Sequence, residues 1–68
     1  MQISARNQLK GRIIKIEEGA VNALVKLDIG NENIISATIS LDALKELDLK
    51  VGKEACAIIK ATSVMIGV

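Results

Sequence analysis

The stretch Val21-Asn22-Ala23-Leu24-Val25-Lys26-Leu27-Asp28-Ile29 decides the fold. Its odd-numbered residues are all apolar, and three of the four residues between them are polar, Leu24 being the exception. This is the two-residue period of a half-buried β-strand. The sequence Gly30-Asn31-Glu32-Asn33 follows and favours a tight hairpin, because glycine and asparagine tolerate positive φ. We therefore expect a further strand to return from Ile34 to Ile39.

Upstream of this hairpin, Leu9 to Glu17 is rich in β-forming residues. The alternation breaks where Ile13 and Ile14 stand side by side, so the sequence predicts either a bulge or burial on both faces. Glu17-Glu18-Gly19 predicts a turn that ends this strand.

Downstream, Ser40 to Leu47 is the one good helix candidate, since Ser40 is a suitable N-cap and leucines recur at helical spacing. Glu54–Ala61 and Ser63–Val68 are expected to be the last two strands. Three strands, a short helix at about 40–47 and two more strands are typical of the five-stranded Greek-key barrel of the OB type. An open meander with a covering helix is the alternative. Residues 1–68 are expected to form a single, mainly β domain.

The composition excludes several classes of protein. The chain of 68 residues has no histidine, no proline, no aromatic residue and one cysteine. A histidine-based active site, a Cys–His nucleophile and a soft-ligand metal site are therefore excluded, and we expect no enzyme. Nine basic against eight acidic residues give a net charge of +1, which argues against a nucleic-acid partner, as does the lack of stacking aromatics.

The small size of the chain favours self-association. A chain of about 60 residues buries only about 60% of its extended surface, yet half of these residues are hydrophobic. We expect this apolar surface to be covered by further copies of the chain. Cys56 is expected to be a small buried hydrophobe. No apolar stretch has membrane-spanning length and the first residues lack the apolar core of a signal peptide, so the expected location is the cytoplasm.

Polar residues without a carboxylate gather in two short segments, Ser4-Ala5-Arg6-Asn7 and Lys60-Ala61-Thr62-Ser63. With Ser40 at the expected start of the helix, they form a donor set suited to a small anion. The alternative is that Arg6 is a free surface charge and that the hydroxyls cap backbone groups near turns. Spacing alone does not decide between the two.

The chain closely resembles the molbindin (Mop) family of small cytoplasmic molybdate-binding proteins over essentially its whole length. The resemblance is most specific in the opening SARN-x-x-x-G and the terminal KATSV, Ser4–Gly11 and Lys60–Val64, with further matches in Gly19–Ala23 and Leu49–Glu54. It implies an OB-like barrel and a homohexamer built as a trimer of dimers, with molybdate, and tungstate as a mimic, bound at subunit interfaces.

The resemblance also implies which residues bind molybdate. One class of site would use Ser4 and Arg6 together with Lys60, Ala61, Thr62 and Ser63. Ser40 stands where the family commonly has a threonine that contacts the anion. A second class of site is expected at Gly19, Ala20, Val21 and Asn22. The implied function is intracellular storage of molybdate; the alternatives are an OB-like interaction module and an oligomerisation module without ligand storage.

Overall fold

A computed structural model describes all 68 residues. Four strands, β1 (Asn7–Glu18), β2 (Asn22–Gly30), β3 (Asn33–Ser40) and β4 (Glu54–Ile59), form one antiparallel sheet in the order β3-β2-β1-β4. The helix α1 (Leu41–Glu46) follows β3, and a single 3₁₀ turn, Ala61–Ser63, follows β4. The spatial order with β4 beside β1 is that of a Greek key, as predicted, and the sheet curls into an OB-like barrel.

The fifth predicted strand is absent. Ser63 ends the 3₁₀ turn, and residues 64–68 belong to no strand. Val64, Met65 and Ile66 are consecutive apolar residues, but their side chains are exposed, so within one chain they find neither a ladder partner nor an apolar face. The predicted fourth strand is also shorter than expected, because it ends at Ile59.

Strand β1 contains a bulge at Ile13 and Ile14, which is one of the two predicted alternatives. The register against β2 pairs Ile13 with Leu27 and then shifts by one before Lys15 pairs with Lys26. The extra residue turns Ile14 outward, with 42% of its surface exposed, whereas Ile13 is 1% exposed.

Strands β1 and β2 approach each other closely at Gly11. Residues Asn7–Arg12 of β1 pair with β4, and from Arg12 onward β1 pairs with β2. A Cβ atom at Gly11 would lie 2.3 Å from the carbonyl oxygen of Asp28, so a larger residue cannot be placed there without moving the backbone. The glycine of the SARN-x-x-x-G motif therefore serves the fold.

The core is small. Five residues are buried, and three of them come from the alternating stretch in β2 that predicts the fold. The buried residues are Ile13, Ala23, Val25, Leu27 and Leu44. Cys56 is only partly buried in β4 and does not belong to this core, contrary to expectation.

The hairpin between β2 and β3 has the predicted form. Gly30 pairs with Asn33, and the two residues between them, Asn31 and Glu32, have φ values of 52° and 65°. The predicted helix is also present, one residue shorter at each end than the sequence pattern indicates, with Ser40 and Leu47 as its caps. None of the helices has the length and hydropathy that crossing a lipid bilayer requires.

Candidate anion-binding site

The first and last polar segments lie side by side because β1 and β4 are antiparallel neighbours. Asn7, the first residue of β1, pairs with Ile59, the last residue of β4. The Asn7 side chain strengthens this junction, since its Nδ2 atom donates to the Ile59 carbonyl at 3.1 Å. Ser4–Arg6 therefore enters the sheet where Lys60–Ser63 leaves it. We call these two segments the strand-end cluster.

The two cations of the strand-end cluster are free to bind a ligand. Arg6 and Lys60 are exposed and form no ion pair. The three ion pairs of the chain lie elsewhere, between Arg12 and Glu54, Lys15 and Glu17, and Lys50 and Asp48. Lys10 is also exposed and unpaired, so the distinctive feature is two unpaired cations at one junction whose segments contain no carboxylate.

The turn after β4 adds neutral donors to these charges. Its backbone hydrogen bonds run from Ser63 N–H to the Lys60 carbonyl at 2.9 Å and from Val64 N–H to the Ala61 carbonyl at 3.3 Å. The N–H groups of Ala61 and Thr62, at the start of the turn, have no such partner, as is general for the first N–H groups of a helical turn. The hydroxyl-bearing residues of the turn are exposed, so the strand-end cluster is rich in donors.

Ser40 lies at the opposite end of the sheet. It ends β3 and pairs with Asn22, while the neighbouring strand end pairs Glu18 with Ala23. The twelve-residue β1 separates this end from Asn7, and at about 3.3 Å per residue the separation is on the order of 30 Å along the strand. One chain therefore does not bring Ser40 together with Arg6 and Lys60.

The Ser40 hydroxyl has a structural task in the chain. Its Oγ accepts a hydrogen bond from Ala43 N–H at 3.0 Å and so caps α1. The hydroxyl proton is not used by this bond, so Ser40 can cap the helix and still donate to a ligand.

The four residues predicted as a second site are exposed and lie where β1 turns into β2, with Asn22 as the first residue of β2. Gly19 N–H donates to the Asn22 carbonyl at 2.8 Å, and Leu41 N–H donates to the Val21 carbonyl at 3.1 Å. These bonds place Gly19, Ala20, Val21 and Asn22 beside Ser40. No positively charged side chain belongs to this turn.

Two positioning interactions were not anticipated from the sequence. The Gln8 side chain donates from Nε2 to the Ala5 carbonyl at 2.9 Å, which holds the entering segment against β1. Lys53 donates from Nζ to the Leu47 and Asp48 carbonyls at 2.9 and 3.0 Å. Amide residues at a strand end and a lysine in a turn carry no distinctive sequence signal for such contacts.

The pKa of the Glu17 carboxyl group is lowered by a neighbouring lysine. A hydrogen bond from Lys15, followed by the Coulombic attraction of the same ammonium, lowers its pKa below the ordinary value. This pair lies in the bulged half of β1, away from the strand-end cluster.

The structure also contains no group of three His, Cys, Asp or Glu side chains arranged to hold a metal ion.

The family model described as "TOBE domain" matches residues 3–66. A "Probable molybdenum-pterin-binding protein" from Haemophilus influenzae is 68% identical over 68 residues, covering 100% of this chain and 99% of that protein. The chain belongs to the molbindin (Mop) family.

Solved molbindins have the same fold. The structure "MopII from Clostridium pasteurianum (apo2)" superposes with a TM-score of 0.92 at 48% identity, covering 98% of this chain and 100% of that one. The cytoplasmic molybdate-binding protein ModG, solved with molybdate bound, superposes with a TM-score of 0.94 at 44% identity. This chain is covered completely and corresponds to 48% of the ModG chain.

Proposed function

We propose that this molbindin binds and stores molybdate in the cytoplasm, with tungstate as a mimic, and that it is not an enzyme. The observation that carries the proposal is the strand-end cluster, in which unpaired Arg6 and Lys60 meet hydroxyl and backbone donors without a carboxylate. Family membership supports the choice of ligand, since ModG was solved with molybdate bound.

The chemistry of the cluster suits this ligand. Molybdate is a tetrahedral dianion whose four oxygens accept hydrogen bonds and donate none. Arg6 and Lys60 supply opposite charge, and hydrogen bonds from charged donors are the stronger kind. Ser4, Thr62 and Ser63 add hydroxyl donors, and Ala61 and Thr62 add N–H groups. Nothing in this set acts as a nucleophile or general base toward an oxyanion.

The position of Ser40 supports a site shared between subunits. A single molybdate cannot reach both ends of a twelve-residue strand. If Ser40 contacts the same anion as Arg6 and Lys60, it must come from another copy of the chain. This requirement is consistent with a homohexamer arranged as a trimer of dimers, in which the Gly19–Asn22 turns form the second class of site. We treat residues 1–68 as one such molbindin unit.

A pterin is not required as ligand, although relatives are named as molybdenum-pterin-binding proteins. Pterin rings are flat and are held best by stacking on aromatic side chains. This chain has no aromatic residue, whereas the donor set of the strand-end cluster matches the oxyanion.

Native mass spectrometry with and without molybdate tests the proposal most directly, because it reports subunit number and anion number together. We expect bound anions on a homo-oligomer in a fixed ratio. An oligomerisation module without ligand storage, which the small core and exposed apolar residues favour, would give the oligomer without retained anion.

Competition among anions at fixed ionic strength tests the character of the site. Tungstate, nearly identical to molybdate in size, should compete almost equally. Phosphate at neutral pH is largely HPO₄²⁻, whose proton needs an acceptor, and leaving a buried donor unpaired costs about 1–3 kcal/mol. Sulfate has no proton and is excluded only because its shorter bonds leave fixed donors out of reach. Phosphate that competed as well as tungstate would contradict a site made only of donors.

A further inference from the structure

A single hydrogen bond holds the segment that precedes β1. Residues 1–6 belong to no helix or strand, and none of their backbone groups bonds to another backbone group. The bond from Gln8 Nε2 to the Ala5 carbonyl, 2.9 Å long, is the one hydrogen bond that ties this segment to the rest of the chain. Ser4 and Arg6, two of the proposed ligands, lie on either side of Ala5.

Asn7 makes the corresponding contact on the other side of the junction. Its Nδ2 atom donates to the Ile59 carbonyl at 3.1 Å, and Ile59 comes directly before Lys60. In the same way, Ala5 comes directly before Arg6. Two consecutive amide side chains therefore each bind the carbonyl of the peptide that precedes one cation of the strand-end cluster.

A bond to this carbonyl fixes the peptide that leads into the cation. The oxygen of Ala5 can only accept, so the nitrogen of the Gln8 amide faces it. A peptide unit is planar, and the chain has no cis peptide bond, so the N–H of Arg6 points away from the carbonyl that Gln8 binds. The bond thus sets the direction of the Arg6 N–H and the position of its Cα atom.

We propose that Gln8, assisted by Asn7, is a positioning residue of the anion site and holds Ser4 and Arg6 in the binding conformation before the anion arrives. This inference rests on the proposed function. A segment that is already ordered loses less conformational freedom on binding, and the affinity rises accordingly. Gln8 acts through Ser4 and Arg6 and does not itself need to touch the anion.

The Gln8 contact should matter more than the Asn7 contact. Ile59 is part of β4, and its pairing with β1 already holds it in place. Ala5 lies before the first strand and has no such support. The tests below therefore address Gln8.

Calorimetric titration with molybdate compares Gln8→Met with Gln2→Met. Methionine keeps the length of the side chain and removes its N–H donors. Gln2 is an exposed glutamine of the same segment that makes no hydrogen bond, so Gln2→Met is the matched control. We expect Gln8→Met alone to lose affinity, by about three- to tenfold, which is the worth of one net hydrogen bond. Thermal unfolding should be unchanged in both variants, because both side chains are exposed.

The ordering itself is tested by ¹⁵N relaxation of the full-length protein without anion. We expect the order parameters of the Ser4, Ala5 and Arg6 amides to fall from about 0.85 in the wild type to below about 0.6 in Gln8→Met. Gln2→Met should leave them unchanged, and saturating molybdate should restore them in Gln8→Met. A contact that only stabilises the fold would lower the melting temperature and leave these order parameters as they are.

A double-mutant cycle tests whether Gln8 acts through Arg6. Once Arg6→Ala has removed the guanidinium, its position no longer matters, so Gln8→Met should cost less affinity than in the wild-type background. Full additivity of the two losses would contradict a role through Arg6.

Two results would overturn the positioning role and leave the proposed function intact. The first is a wild-type protein that binds molybdate and a Gln8→Met variant that binds it equally well. The second is equal order of residues 4–6 in the two proteins without anion. A wild-type protein that bound no molybdate would overturn the proposed function, and the positioning role with it.

Discussion

The two ends of the sheet contain similar polar residues but use them differently. At the helix end, Ser40 caps α1 and Lys53 binds the two carbonyls that follow the helix. At the strand-end cluster, Arg6 and Lys60 have no ion-pair partner. Polar groups that the chain satisfies itself stabilise the fold, whereas those it leaves unsatisfied are available to a ligand. Ser40 is the one residue that serves both purposes if subunits share a site.

The largest effect is expected from removing a cation of the strand-end cluster. Arg6→Ala and Lys60→Ala should each cost about 2–5 kcal/mol of molybdate binding, because each leaves a charged contact without its partner. This corresponds to roughly 30-fold or more in affinity. Thermal unfolding should change little, since neither side chain forms an ion pair within the chain. Calorimetric titration measures the affinity.

Lys10→Ala is the matched control for this prediction. It removes the same charge from an exposed, unpaired lysine of β1, outside the strand-end cluster. Equal losses for all three variants would indicate diffuse electrostatic attraction and not a site.

Substitutions at Ser40 are expected to have smaller effects, one on protein stability and one on molybdate affinity. Ser40→Ala should destabilise the protein by about 1 kcal/mol through loss of the cap. Ser40→Asp keeps a capping oxygen and adds a negative charge, so it should preserve thermal stability and still weaken molybdate binding. If Ser40→Asp leaves the affinity unchanged in the assembled protein, Ser40 does not face the anion.

The alternation in β2 predicts the core well, because a period of two is a local property of the chain. Ala23, Val25 and Leu27 are buried as this pattern requires. Of the two alternatives predicted for Ile13 and Ile14, the bulge is the one found, because Ile14 is exposed and the register shifts between Ile13 and Lys15. The fifth strand is not found, since the apolar run from Val64 onward indicates a preference for burial but does not specify a strand that it pairs with.

The sequence indicates which residues are candidates for binding the anion, but it does not indicate where they lie relative to one another. Motif resemblance predicts Arg6 and Lys60 as ligands, and the register of β1 with β4 brings their segments together. The same resemblance grouped Ser40 with them, whereas the topology places it at the other end. A sequence motif cannot distinguish residues that meet within one chain from residues that meet across two. The contacts of Lys53 could not be predicted, because its partners are carbonyl oxygens, which every residue has.

Lys53 offers a test of the helix end that leaves the strand-end cluster intact. Lys53→Met keeps the aliphatic stem and removes the ammonium that binds the Leu47 and Asp48 carbonyls. Because these bonds are exposed, the loss of stability should be modest, roughly 0.5–1 kcal/mol. Molybdate affinity should remain within twofold. A large loss of affinity with unchanged stability would place Lys53 in the site and reverse the comparison between the two ends.

The smallest effect is expected at the ion pair between Lys15 and Glu17. This pair lies at neither end of the sheet, so it represents an ordinary surface contact. Lys15 lowers the pKa of Glu17, first through their hydrogen bond and then through its charge. A carboxylate with a depressed folded pKa contributes stability above its unfolded pKa, and the contribution is lost as the pH falls through the folded pKa. Lys15→Gln should therefore raise the Glu17 pKa toward its ordinary value in an NMR titration. The free energy of unfolding should then decrease slightly less steeply as the pH falls. Molybdate affinity at neutral pH should be unchanged. If removing this one ammonium weakened binding as strongly as Arg6→Ala, the anion would be sensing the net charge of the protein and not the donors of the strand-end cluster.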